Sequence, residues 1–111
     1  MSQNRKILYC HCAYARVVPP PVKSDVLAQL AASGREFDAV PDLCEMSARR
    51  DPKLAEFAAA GEIRIAACYP RAVRGLFHAA GQPLAPGAEI LNMRTETGGA
   101  VVEKLLAEGR A

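Results

Sequence analysis

Apolar residues along this chain gather in four short continuous runs, each followed by a stretch in which they recur every three or four positions. The runs cover residues 6–12, 37–40, 62–68 and 88–93, and their length and continuity suit buried strands. The stretches between them suit amphipathic helices. The first helix is expected over 23–33, with Val22, Val26, Leu27, Leu30 and Ala31 on a helical spacing and Gly34 as its stop. Pro19, Pro20 and Pro21 before it should forbid regular structure. A second helix takes Asp51 as N-cap and Pro52 as its first residue, buries Leu54, Phe57 and Ala58, and ends at Gly61. Pro70 opens a third, which carries Val73, Leu76, Phe77 and Ala80 and ends at Gly81. Thr97 or Gly98 leads into a fourth, with Val101, Val102, Leu105 and Leu106. Residues 81–87 hold two prolines and read as a loop. Alternating strands and helices imply an α/β fold: a mainly parallel central sheet of about four strands flanked by helices, Rossmann-like or flavodoxin-like. With 111 residues, the expectation is one domain spanning 1–111.

Composition narrows the chemistry. Half the residues are hydrophobic, 23% are charged and the net charge is +2, a balance typical of globular domains. Such a charge provides no electrostatic footprint for nucleic acid or an anionic membrane surface. No apolar stretch is long enough to cross a bilayer, and the run after the basic N-terminus is too short for a signal peptide. A cytoplasmic protein is expected. In that compartment thiols stay reduced, so four cysteines point to metal or redox chemistry rather than to disulfides.

The βα rhythm gives those cysteines a common address. Cys10 and Cys12 end the first strand, Cys44 follows the second, and Cys68 ends the third. In a parallel sheet all strand C-termini share one edge, where α/β proteins place their ligands. Residues two apart on a strand face the same side, so Cys10 and Cys12 should point together. Four sulfur donors without a carboxylate select a thiophilic centre, zinc or iron–sulfur. The spacing, C-x-C followed by two long gaps, is neither a zinc-ribbon pattern nor a ferredoxin run. Arg71 and Arg74 follow Cys68 at a helix start, where their charge and the helix dipole would favour an anionic cluster. Ala13, Val17, Val18 and the prolines could cover it.

Three segments, taken in order, resemble the N-terminal iron–sulfur domain of the flavin-binding subunit of heterodisulfide reductase: Ile7-Leu8-Tyr9-Cys10-His11-Cys12, the mid-chain Cys44, and the block from Ile65 to Phe77. That family has an opening Cys-His-Cys-Gly, a middle cysteine and an Ala-Ala-Cys-(Ser/Thr)-Pro-Arg…Leu-Phe block. Ile90-Leu91-Asn92-Met93-Arg94 resembles its Asn-Ile-Arg segment. Ala13 and Tyr69 depart from the family pattern. The resemblance implies a [4Fe–4S] cluster on Cys10, Cys12, Cys44 and Cys68 and a role in electron transfer. The implied partners are redox proteins, among them a flavin-containing oxidoreductase, or further copies of the chain; no G-x-G-x-x-G follows any strand here.

Rival readings use the same residues. A Cys₄ zinc site would make the chain a scaffold or binding module. Cys68 and Arg74 form a C-x₅-R pair at a strand–helix junction, the layout of cysteine phosphatases and arsenate reductases. Pro70 weighs against it, because a phosphate cradle needs successive N–H donors. Cys10 and Cys12 could also form a dithiol switch. His11 should face away from its cysteine neighbours, and His78 should lie on a helix surface. Gly98-Gly99 reads as a loop-to-helix joint, Arg49-Arg50 as a solvated turn, and Tyr69 as a packed tyrosine rather than a metal shield.

Overall fold

A computed structural model describes residues 6–11, 18–60 and 62–106. Among these residues the chain runs β1 (Lys6–Cys10), α1 (Pro20–Ser33), β2 (Asp38–Val40), α2 (Leu43–Ala48), α3 (Lys53–Ala59), β3 (Ile63–Ala67), α4 (Pro70–Ala79), β4 (Glu89–Asn92), α5 (Gly98–Leu106). The four strands form one all-parallel sheet in the order β2-β1-β3-β4. The expected α/β architecture is therefore present. None of the described helices is long and apolar enough to cross a membrane.

Strand burial follows strand position. All five residues of β3 are buried and β1 is exposed only at Lys6, whereas β2 and β4, on the two edges, are partly exposed. Strands covered on both faces must be apolar throughout, which is why Ile63 to Ala67 reads as an almost unbroken run. Helices α1 and α5 pack together on one face, and α2 and α4 on the other. The alternation of β1 shows the two faces directly. The hydroxyl of Tyr9 donates to the Lys23 carbonyl of α1, while the next side chain, Cys10, accepts the Leu43 N–H of α2. Leu30 and Val26 of α1, Phe77 and Val73 of α4, and Leu105 of α5 close the core.

Several boundaries differ from those expected, each for a physical reason. Helix α1 begins at Pro20, so the proline run starts the helix instead of excluding it. The first N–H groups of a helix have no intrahelical acceptor, and proline loses nothing there. Gly34 ends it at φ +80°, as expected, but Ala31 is exposed. Helix α2 was not expected. Asp42, 1% exposed, caps it by accepting the Glu45 N–H at 3.1 Å. Arg50, at φ +53°, closes the turn behind it. Helix α3 starts at Lys53, not Pro52, although Asp51 still accepts the Lys53 N–H. Strands β1, β3 and β4 end one or two residues short of their apolar runs. The expected stop at Gly61 lies outside the described residues.

One glycine is fixed by close packing. A Cβ at Gly98 would run into the Asp25 carboxylate and lie 2.8 Å from the Asp25 Cβ, where α1 crosses the start of α5. Gly98→Ala is expected to cost about 1–3 kcal/mol by overpacking this crossing. Thermal unfolding should show the loss, and Asp25→Ala in the same chain should recover only part of it, because alanine keeps the Cβ that lies 2.8 Å away.

Candidate metal centre

The strand order places a topological switch point between β1 and β3, the crevice where doubly wound sheets bind ligands. Two cysteines stand at it. Cys10 is the last residue of β1, and Cys68 directly follows β3, whose Ala66 pairs with Tyr9. Both are buried. Cys44 comes from the next element outward, as the second residue of α2, and is exposed. Cys12, together with Ala13 and Val17, lies outside the described residues. Val18 is 2% exposed and belongs to the core.

The three described thiols share one electrostatic environment. Burial raises the Cys44 thiol above its ordinary range, the charge of Asp42 raises it further, and so do Cys68 and Cys10; a hydrogen bond to Asp42 also favours the protonated form. Burial likewise raises Cys68, and Cys10 adds to this, while backbone N–H bonds from Tyr69 and Cys68 and the charge of Arg94 pull the other way. Cys44 thus lies close enough to feel the ionisation of both other sulfurs, and Cys68 that of Cys10. Left to themselves Cys44 and Cys68 resist becoming thiolates, and a cation beside them would reverse that balance. Among the described residues, no group of three or more His, Cys, Asp and Glu side chains is arranged to hold a metal ion.

Backbone donors are aimed at two of the sulfurs. Leu43 donates its N–H to Cys10 Sγ at 3.4 Å, and the nearby Tyr69 amide favours the thiolate of Cys68. A neutral thiol sulfur is a weak acceptor, whereas a metal-bound thiolate is electron-rich. The arrangement therefore suits sulfur in its anionic form.

The basic residues are not those the spacing suggested. Arg74 Nη2 donates to the Ala88 carbonyl at 2.6 Å and Nη1 to the Ala85 carbonyl at 3.4 Å. Those carbonyls lead into β4, at the opposite end of the sheet from the cysteines, so Arg74 secures a loop instead of facing Cys68. Arg71 is exposed. The cation that acts on Cys68 is Arg94, which follows β4 and lies over the Tyr69 ring, its guanidinium carbon 4.6 Å from the centroid. A residue just past the end of a parallel strand reaches this edge by topology, and that was the available signal. Tyr69 itself is 44% exposed rather than packed.

The remaining candidates fall where expected. His11 is exposed, with Nδ1 2.8 Å from the Tyr9 hydroxyl on the α1 side, away from Cys10. His78 lies on the surface of α4. Gly98 opens α5, and Thr97 Oγ1 accepts the Ala100 N–H.

A C-x₅-R phosphatase finds little support in this arrangement. It needs a thiol of lowered pKa and an arginine over the oxyanion. Cys68 is raised and Arg74 is committed elsewhere. No protein-family model matches the chain, and no curated protein or solved structure matches it either.

Proposed function

We propose that this chain is an electron-transfer protein of the reducing cytoplasm that carries one [4Fe–4S] cluster on Cys10, Cys12, Cys44 and Cys68. The observation that carries the reading is the placement of Cys10 and Cys68 at the ends of the two strands that flank the β1/β3 switch point, with Cys44 at the start of α2 beside them and the Leu43 N–H pointed at Cys10. The donor set fits the centre. The nearby carboxylate, Asp42, is engaged with the Glu45 N–H and the Cys44 thiol, which leaves sulfur as the ligand type. The resemblance to the heterodisulfide reductase domain selects iron over zinc. A bound cluster would supply a one-electron couple, and its potential would respond to hydrogen bonds on the sulfurs and to nearby charge.

The chain's own residues do the rest. Leu43 holds the Cys10 sulfur by its amide, and the Tyr69 amide and Arg94 lower the cost of negative charge at Cys68. Asp42 fixes α2 and with it the position of Cys44. Redox proteins, among them a flavin-containing oxidoreductase, are the partners the resemblance implies.

Anaerobic purification tests the proposal. The expected product is brown, absorbs broadly near 400 nm, and contains about four irons and four sulfides per chain. A colourless protein holding one zinc would replace this reading with the scaffold one.

A further inference from the structure

We propose that the rim formed by Tyr69, Arg71 and Arg94 is the docking surface for an acidic electron-carrier protein, an inference that rests on the iron–sulfur reading above. Tyr69 is a large hydrophobic side chain standing 44% exposed, and Arg94 lies over its ring at 4.6 Å. The pair borders Cys68 directly: Tyr69 is the next residue, and the Arg94 charge acts on the thiol. Arg71 is exposed at the start of α4, two residues beyond Tyr69. Cys44 opens to solvent at the same end of the sheet.

The charge at this end is unbalanced. Among the described residues neither Arg71 nor Arg94 has a carboxylate within ion-pair distance, while the acidic groups nearby are occupied. Glu45 pairs with Arg49, Glu96 pairs with Lys104, and Asp42 is buried against the Glu45 N–H. An aromatic platform flanked by two uncompensated guanidinium groups matches the composition of binding hot spots. Its complement is a surface of carboxylates, which bind arginine bidentately and would be steered towards this end of the sheet. A basic or neutral partner would gain nothing from either arginine.

The test uses the full chain purified anaerobically, with an acidic flavodoxin as the probe. Binding is measured by calorimetry at low and moderate salt, and iron is measured separately on every sample. The wild-type chain should bind the flavodoxin and weaken about tenfold as salt rises. Arg94→Glu and Arg71→Glu should each weaken binding at low salt by about tenfold, and Arg71→Glu, which does not act on any of the cysteines, should keep the wild-type iron content. Lys53→Glu makes the same charge change at the start of α3, beside the edge strand β2 and across the sheet from β4, and should alter binding less than about twofold. Absent wild-type binding, unchanged binding by both arginine variants, or an equal loss in Lys53→Glu would each overturn the docking surface. An iron-free wild-type chain would instead sink the cluster reading, so the two failures are read on different instruments.

Discussion

Cys44→Ala should leave the anaerobically purified protein as colourless as Cys10→Ala does, with iron reduced to a small fraction of the wild-type content. The expectation is not trivial, because the two residues differ in every ordinary respect. Cys10 is buried at the end of a central strand, whereas Cys44 is exposed on a short helix. Were the cysteines present for packing, Cys10→Ala would lower stability and Cys44→Ala would do almost nothing. Equal loss of iron from both variants follows only if each supplies a ligand. Their measured thermal stabilities should diverge while their spectra agree. A Cys44→Ala chain with full colour and full iron removes Cys44 from the ligand set.

How much of this could be read from residues alone is clear from particular elements. The apolar runs over 6–12 and 62–68 were legible because β1 and β3 are central strands, and full burial leaves no polar alternation to confuse the pattern. Helix α2 was not, since six residues are too few for a periodicity. Its signal was chemical: Asp42 followed three residues later by Glu45, a capping pattern. The proline run misled in the opposite direction, because Pro20 and Pro21 occupy the one part of a helix that needs no N–H. At the site, topology alone brought the ends of β1 and β3 together with the start of α2. The choice of arginine could not be made that way. Arg74 is nearer to Cys68 in sequence than Arg94, but a long side chain in the second turn of a helix can reach either end, and here it reaches the Ala88 carbonyl.

Arg64→Ala should be the most destabilising change outside the hydrophobic side chains, at about 3 kcal/mol. Arg64 sits in β3, 7% exposed, where an apolar residue would be expected. Its Nη1 donates to the Lys104 carbonyl at 2.7 Å and to the Leu105 carbonyl at 3.4 Å, and Nε lies 3.4 Å from Glu89 on β4. The last carbonyls of a helix lack intrahelical partners, and a cation there also meets the negative end of the dipole. One guanidinium therefore ties the last turn of α5 to two strands. Truncation removes charge-assisted bonds worth roughly 1.5–3 kcal/mol each and strips packing from the aliphatic stem. A midpoint lower by about 10–20 °C in thermal unfolding is the expected reading. Arg64→Lys should recover only part of it, because a single ammonium cannot fork between carbonyls and a carboxylate. A midpoint within about 3 °C of wild type for Arg64→Ala would show that α5 is held by Val101, Val102 and Leu105 alone.

The sheet's borders have a consequence of their own. Its outer strands are only three and four residues long, and Lys6 meets Asp38 where one of them starts. So brief a margin exposes few spare amide and carbonyl groups, which leaves an incoming chain little to zip onto. Copies of this protein crowded together should consequently remain separate along their sheets, and any self-association would have to be built from helix surfaces.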